Sequence, residues 1–213
     1  MQTLDSHECG TRTAILDTAE RLFAQRGFEA TSLRKITAEA GANLGAVNYH
    51  FKSKDGLILE VLKRTFQPVN ERRLKLLDEI EAGEEPPSVE SILEALFRPP
   101  LELVSKPVQG GWFFPRLLVY CLTQPGAYLK PLVEEHFAHK TRRFYSALQR
   151  ACPELPKAEV RWRLHFSIGA FLLTAGNPQV LEITSEGMCK VTDPEAVLRR
   201  IVGFCAAGFT VKV

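Results

Sequence analysis

The sequence predicts an all-α protein with about nine helices, built as an N-terminal three-helix unit followed by a larger helical one. Two observations support this fold class. Apolar residues recur with a period near 3.6 in almost every stretch between turn signals, and there is no strand-like alternation of Val, Ile and Thr. We place the first unit at residues 9–69 and the second at residues 70–213.

The first helix is expected over residues 11–26. Its apolar side chains lie at i, i+4, i+7 and i+8, so they share one stripe. They are Ile15, Ala19, Leu22 and Phe23. Gly27 follows where the residue after a helix commonly takes a left-handed conformation, which lets Phe28 fold back onto the stripe.

Two short helices follow, joined by a turn that contains glycine. Thr31 or Ser32 can cap the first of them, and Asn43 can cap the second, which is expected over residues 44–50. Two short helices braced by a longer one have the geometry of a helix-turn-helix, which we expect at residues 31–51.

Ser53 can cap a long fourth helix that continues to about Ile80. Pro68 lies inside this helix, where a proline removes the hydrogen bond to the carbonyl of Arg64 and favours a kink. We therefore predict that Pro68 is a hinge between the two units. A polar linker over residues 81–87 ends the helix.

Turn signals divide the rest of the chain into five more helices. They are expected over residues 88–104, 112–123, 126–151, 157–175 and 193–208. Asp193 and Pro194 are typical of the start of the last helix. Residues 177–192 are expected to form an irregular connection.

Composition restricts the class of protein. Hydrophobic residues make up 45% and charged residues 24% of the chain, which is typical of globular proteins. We expect a soluble, cytoplasmic protein without a membrane partner, because no apolar run reaches about 18 residues and no signal peptide is recognisable. The five cysteines are scattered without a C-x-x-C pair, which disfavours a zinc knuckle or a disulfide framework.

Net charge is a weak guide to a nucleic-acid partner. The chain carries a formal charge of +2, and residues 1–56 hold equal numbers of basic and acidic residues. Residues 31–54 nevertheless form a local basic stretch that contains one acid, and such a face can neutralise phosphates. A second basic cluster, over residues 63–76, fits a solvated helix face equally well.

We expect the third helix to enter the major groove of DNA, because an α-helix fits that groove and its side chains reach base edges. The candidate DNA contacts are Thr31, Ser32, Arg34, Lys35, Leu44, Gly45, Ala46, Asn48, Tyr49, His50 and Lys54. Gly45 is costly inside a helix and is expected where the backbone approaches DNA closely. Asn48 is suited to read an adenine or to bind a phosphate.

The segment from Ile15 to Leu57 resembles the DNA-binding domain of the TetR family of bacterial regulators. The matching pieces are Arg26-Gly27-Phe28, the Thr31-Ser32 cap, Ile36 and Ala40 before Gly41, and the run Tyr49-His50-Phe51-Lys52-Ser53-Lys54. The family usually has Tyr where this chain has Asn48. The family's tyrosine contact with a phosphate is therefore not carried over, and Asn48 is expected to read a base instead.

The resemblance implies a homodimer in which the last two helices of each chain pack into a four-helix bundle. The corresponding stretches are residues 157–175 and 193–210. The expected interface residues are Val197, Leu198, Ile201, Val202, Cys205 and Phe209. A core within one chain would explain the same apolar stripe.

The C-terminal unit carries apolar side chains that are suited to line a cavity for an apolar ligand, although an ordinary core explains them too. They are Trp112, Phe113, Leu117, Leu118, Phe137, Phe166 and Phe171. Residues 48–51 together with residues 155–169 are similar to a fatty-acid-responsive branch of the family. That similarity implies a long-chain fatty acid or acyl-CoA as the ligand.

The sequence thus predicts a homodimeric repressor that a small apolar ligand releases from operator DNA. One alternative is a chromosome-associated DNA-binding adaptor without an effector, and another is a helical lipid carrier or enzyme. We expect no catalysis and no cofactor, because no nucleophile, nucleotide-loop or paired-carboxylate signature is recognisable. His136 and His139 beside Glu134 and Glu135 fit a polar surface better than a metal site.

Overall fold

The computed structural model describes residues 2–104, 113–124 and 126–211, and its regular structure in these ranges is helical throughout. The helices are α1 (Gln2–Arg26), α2 (Leu33–Glu39), α3 (Leu44–Phe51), α4 (Lys54–Glu81), α5 (Val89–Val104), α6 (Phe113–Thr123), α7 (Leu129–Leu132), α8 (Ala138–Ala151), α9 (Lys157–Gly176), α10 (Pro178–Thr184) and α11 (Pro194–Thr210). A π-helical segment, Val133–Phe137, joins α7 to α8. The predicted all-α class is confirmed.

The described ranges contain eleven α-helices rather than about nine, and the differences have local causes. α1 begins at Gln2 instead of Thr11, since no glycine turn or proline interrupts the chain before Gly10. The predicted helix over residues 126–151 is divided by the π-helical segment. Within residues 177–192, which were expected to be irregular, Pro178–Thr184 form α10, because proline favours a helix start at its first position. Residues 185–192 are irregular, as expected.

The N-terminal core is formed by α1, α2, α3 and the first half of α4. Val47 and Leu57 are fully buried in it, and Phe28 is 3% exposed. Residues from α6 and α7, among them Phe114 and Leu132, belong to the same cluster. The first four helices therefore share their core with the C-terminal half of the chain.

The C-terminal core lies between the end of α4 and helices α5, α8, α9 and α11. Phe97 of α5 stacks on Phe171 of α9 with ring centroids 4.9 Å apart. The residues expected in the dimer interface are buried in this core, each between 2% and 8% exposed: Val197, Leu198, Ile201, Val202, Cys205 and Phe209. The apolar stripe of α11 is thus a core within one chain, and another surface is needed for a partner.

α4 contributes to both cores. Phe66 belongs to the N-terminal cluster and Leu77 to the C-terminal one, and the helix continues through Pro68, whose ring is exposed. None of the described helices combines the length and the hydropathy needed to cross a membrane.

Candidate DNA interface and ligand cavity

The two short helices are fixed by side-chain caps at their N-termini. The hydroxyl of Ser32 accepts a hydrogen bond of 3.2 Å from the N–H of Lys35, and Oδ1 of Asn43 accepts one of 2.9 Å from Ala46. Gly41 has a φ of +64°, which glycine adopts without steric cost. Both caps and the glycine turn agree with the sequence prediction.

Thr31 has a structural part in this region. Its side chain is fully buried, and its hydroxyl donates a hydrogen bond of 2.8 Å to the carbonyl of Gly27. Gly27 itself has a φ of +81°, and its N–H donates to the carbonyl of Phe23. The prediction that Thr31 contacts DNA is therefore wrong, because its hydroxyl faces the end of α1.

One face of α3 is exposed and the other is anchored in the core. Tyr49 is 65% and Leu44 is 44% exposed, and Asn48 lies between them on the surface. Val47 is fully buried and Phe51 is 3% exposed. The helix is held from one side while its other side is free to meet a ligand as large as DNA.

Gly45 lies on the exposed side at the start of α3. A Cβ at this position would lie 3.1 Å from Oδ1 of Asn43, the oxygen that caps the helix. The glycine therefore leaves room for the cap. This is a second reason for glycine at this position, beside the close approach to DNA that the sequence predicts.

The basic side chains near this face are not equally available. Arg34 is exposed, whereas Lys35 is paired with an acid, since its Nζ lies 3.7 Å from Oε1 of Glu39. A hydrogen bond from Arg21 lowers the pKa of Glu39 and keeps it charged. Nζ of Lys54 reaches the carbonyl of Glu29 at 3.4 Å, next to the start of α4.

Sequence reasoning missed Gly56, which the start of α4 requires. A Cβ at this position would lie 2.0 Å from the carbonyl oxygen of Phe51. The preceding turn takes a positive φ of 68° at Lys52, and the hydroxyl of Ser53 accepts from the N–H of Gly56. No pattern of apolar residues reveals such a backbone contact.

A cavity of about 320 Å³ lies in the C-terminal part, between α4, α5, α6, α7, α8 and α9. Three of the predicted residues line it: Leu118, Phe137 and Phe171. Phe113 and Leu117 belong to the N-terminal cluster instead. Phe166 is 64% exposed and Trp112 lies outside the described residues.

Two polar residues of α4 face this cavity, and the sequence did not single them out for it. Asn70 is 2% and Arg73 is 8% exposed. Burial lowers the pKa of the Arg73 guanidinium to about 10. Lys140, Thr141 and His165 also line the cavity, so that its wall is not purely apolar.

Phe28 connects the helix-turn-helix with the cavity wall. Its N–H donates to Oε1 of Gln124, and its ring packs edge-on against those of Tyr120 and Tyr128. Cys121 and Leu129, which are close neighbours of these residues in sequence, line the cavity.

Large apolar side chains are exposed on α9, α10 and α11 of the C-terminal part. The rings of Trp162 and Phe166 on α9 stack at 5.6 Å, and Trp162 is 56% exposed. Leu173 on α9 is 66% and Phe204 on α11 is 73% exposed. α10 has no buried residue, and its Ile183 is 76% exposed. A monomer in water would leave these side chains without an apolar partner.

No group of three or more His, Cys, Asp or Glu side chains within the described ranges is placed to bind a metal ion. His139 is exposed, and so is Cys189.

Two family models match the chain. Residues 94–208 match "Tetracyclin repressor-like, C-terminal domain", and residues 15–61 match "Bacterial regulatory proteins, tetR family". The first match covers more than half of the chain. The first match contains most of the residues that line the cavity, and the second contains the helix-turn-helix.

Curated relatives resemble the N-terminal part. The chain is 43% identical over 58 residues to the HTH-type transcriptional repressor KstR2 of Rhodococcus jostii, which covers 27% of this chain and 28% of the relative. It is 42% identical over 65 residues to the HTH-type transcriptional regulator AcrR of Shigella flexneri, which covers 30% of each. The similarity thus spans less than a third of these relatives.

Solved structures resemble nearly the whole fold. The fatty acid degradation regulator FadR of Bacillus halodurans has a TM-score of 0.65 at 15% identity, covering 92% of this chain and 98% of that one. FadR of Bacillus subtilis, solved in complex with stearoyl-CoA, has a TM-score of 0.62 at 16% identity, with the same coverage. At these identities the likeness shows the fold alone.

Proposed function

Because the chain belongs to the TetR family of bacterial regulatory proteins, we propose that it is a homodimeric repressor that binds operator DNA in the cytoplasm. A small ligand with an apolar body, held in the cavity beside α4, releases it from the DNA. The observation that carries this proposal is the pair of capped helices α2 and α3, with Asn48 and Tyr49 exposed opposite the buried Val47.

The exposed side chains of α3 suit the two functions of a recognition helix, which are to read base edges and to bind phosphates. The amide of Asn48 can pair with an adenine edge in the major groove, and Tyr49 and His50 can reach phosphates. Their rings already lie edge to face at 4.9 Å, which reduces the freedom lost on binding. Ser32, Arg34 and Lys54 supply further phosphate contacts at the starts of α2 and α4.

The dimer proposal uses the exposed faces of α9 and α11 rather than their buried stripes. Trp162, Phe166 and Leu173 lie at i, i+4 and i+11 on α9, so that they share one face. On α11, Phe204 lies in sequence between Gly203 and Gly208. A Cβ added at either glycine would have no described neighbour within 4 Å. Small residues beside a large exposed ring allow two helices to approach closely. The dimer holds two recognition helices about one DNA turn apart.

The ligand acts by shifting the preferred spacing of the two recognition helices. Two routes lead from the cavity to α3. One runs along α4, where Pro68 precedes the cavity residue Asn70 by two positions, and the other runs through the contact of Gln124 with Phe28. The fold shared with a regulator that binds stearoyl-CoA supports a fatty acid or acyl-CoA as the effector.

A band-shift assay with the DNA upstream of the protein's own gene tests the proposal. The wild-type protein should retard this DNA, and the double variant Asn48→Ala, Tyr49→Ala should not. Lys157→Ala, which removes an exposed cation at the start of α9, is the control and should bind like the wild type. If the double variant binds as well as the control, α3 is not the recognition helix.

Mapping the occupied sites across the genome separates a repressor from a chromosome-associated adaptor. A repressor should occupy a few promoters. Occupancy of many sites outside promoters would contradict the repressor proposal while leaving DNA binding intact.

A further inference from the structure

The cavity holds a charged group that a purely apolar ligand would leave without a full partner. Arg73 lies in the cavity wall, and two of its nitrogens are engaged by neutral oxygens. Nε donates a hydrogen bond of 2.7 Å to the carbonyl of Leu96, and Nη1 donates one of 3.1 Å to Oδ1 of Asn70. Neither of these bonds uses Nη2.

The charge of Arg73 has no counter-ion within the part of the chain that the structure describes. Its other electrostatic contact is the ring of Phe114, whose centroid lies 5.5 Å from Cζ. A pKa of about 10 still leaves the guanidinium charged at neutral pH. Because a buried charge is costly unless it is paired, this arrangement favours the binding of an anion in the cavity.

Asn70 adds a second donor at the same place. Its Nδ2 is buried without a hydrogen-bond partner in the described residues, although the residue lines the cavity. Buried donors of this kind are rare in folded proteins. Asn70 and Arg73 lie at i and i+3 on α4, so that their side chains share one face of the helix.

We propose that the ligand is a carboxylic acid, and that its carboxylate binds to Arg73 and to Nδ2 of Asn70 while its apolar body fills the rest of the cavity. This rests on the proposed function, in which this cavity is the effector site. A planar carboxylate offers two oxygens to a guanidinium and an amide, which makes charge-assisted hydrogen bonds. The thioester of an acyl-CoA would place a neutral carbonyl there. The proposal therefore favours the free acid over its CoA ester.

The rest of the wall fits such a ligand. Phe97 and Phe171 form a stacked apolar side, with Leu118 and Phe137 nearby. The volume of about 320 Å³ is at the lower end of the range for small-molecule sites, so that the cavity suits one compact chain or ring system. Lys140 also lines the cavity, and burial lowers its pKa. It is the competing cation that the test must separate from Arg73.

Calorimetry on the full-length protein without DNA tests this proposal. The probes are hexanoate, decanoate and hexadecanoate, each compared with its methyl ester, together with decanoyl-CoA. We expect at least one acid to bind about tenfold or more tightly than its ester. Equal affinities for acid and ester, no binding of any acid, or tighter binding of decanoyl-CoA than of decanoate would overturn the proposal.

Three variants identify the partner of the carboxylate. Arg73→Met should reduce the affinity for the acid to that for the ester and leave the ester unchanged, which also shows that the cavity is intact. Asn70→Leu should weaken the same preference by a smaller factor and serves if Arg73→Met does not fold. Lys140→Met should keep the preference. Loss of the preference in Lys140→Met but not in the α4 variants would overturn the assignment.

A band-shift assay with the same acids and esters, read beside the calorimetry, separates this proposal from the proposed function. An acid that binds to the protein but does not release it from DNA supports the carboxylate site and contradicts the effector mechanism. Release of DNA by a neutral ester with the same efficiency as by the acid supports the effector mechanism and contradicts the carboxylate site.

Discussion

The backbone N–H of Phe28 donates a hydrogen bond of 3.2 Å to Oε1 of Gln124, which joins the turn after α1 to the end of α6. The hydroxyl of Tyr128 donates to the backbone carbonyl of the same glutamine. Gly27 leaves room for this side chain, since a Cβ there would lie 3.2 Å from Oε1 and Nε2 of Gln124. The side chain of Gln124, which lies within an aromatic cluster, thus connects the helix-turn-helix to the helices that line the cavity.

Gln124→Ala should remove the hydrogen bond between Phe28 and residue 124. We expect the amide of Phe28 to exchange its hydrogen faster and the free energy of unfolding to fall by about 1 kcal/mol, because a partly buried donor loses its acceptor. Hydrogen exchange followed by mass spectrometry on peptides that contain residue 28 measures the first effect. Gln124→Glu is the matched control, since a carboxylate oxygen can still accept the bond. Unchanged exchange in Gln124→Ala would show that water replaces the side chain without loss.

Asn48→Ala and Lys54→Ala should weaken DNA binding in different ways. If Asn48 reads a base, its loss reduces the discrimination between the operator and a mutated operator by about 1–3 kcal/mol. Loss of Lys54 should weaken binding to both sequences equally. It should also reduce the slope of the logarithm of affinity against the logarithm of salt concentration by about one. Titrations at several salt concentrations on both DNA fragments measure these quantities. A uniform effect of Asn48→Ala would mean that its amide binds a phosphate.

The N-terminal helices could be predicted because their signals are local. Ser32, Asn43 and Ser53 each cap the helix that follows them, as the sequence indicates. The burial of the residues in the C-terminal part depends instead on long-range packing, which local sequence patterns do not reveal. Arg73 belongs to a basic stretch that fits a solvated helix face, and its burial depends on tertiary packing, including that of α5, where the carbonyl of Leu96 accepts its hydrogen bond. In the same way, the period of α11 identifies an apolar stripe but not which chain covers it.

Gly56→Ala should destabilise the start of α4. The added Cβ would lie 2.0 Å from the carbonyl oxygen of Phe51, so that the turn before α4 must shift, at a cost of about 1–3 kcal/mol. Gly10→Ala in α1 is the control, because no described atom lies within 4 Å of its Cβ position, and it should stabilise the helix by about 0.5–1 kcal/mol. Urea unfolding measures both changes. Equal stability of the two variants would show that the turn adapts without cost.

Phe204→Glu should dissociate the proposed dimer. The side chain is 73% exposed in one chain, so that the substitution does not disturb the core, and burying a carboxylate between two copies is unfavourable. Light scattering after gel filtration should give the mass of one chain. Leu44→Glu makes the same type of change on α3 and should leave the dimer intact. A dimeric Phe204→Glu variant would place the interface elsewhere, for instance on the exposed face of α10.

Pro68→Ala tests whether α4 is the element that carries the response to the ligand. Alanine restores the N–H that can bind the carbonyl of Arg64, and it removes a residue that costs about 3 kcal/mol in a helix interior, so that α4 should become stiffer and the protein more stable. The ring is exposed and lies away from α3, and operator affinity should therefore change less than twofold to threefold. The ligand response should change more, because Asn70 and Arg73 follow the proline on the same helix, and a movement of theirs along α4 reaches α3 only through residue 68. Operator titrations with and without the tightest-binding acid measure the two effects separately. Equal changes in both would contradict the hinge and leave the contact between Gln124 and Phe28 as the remaining route.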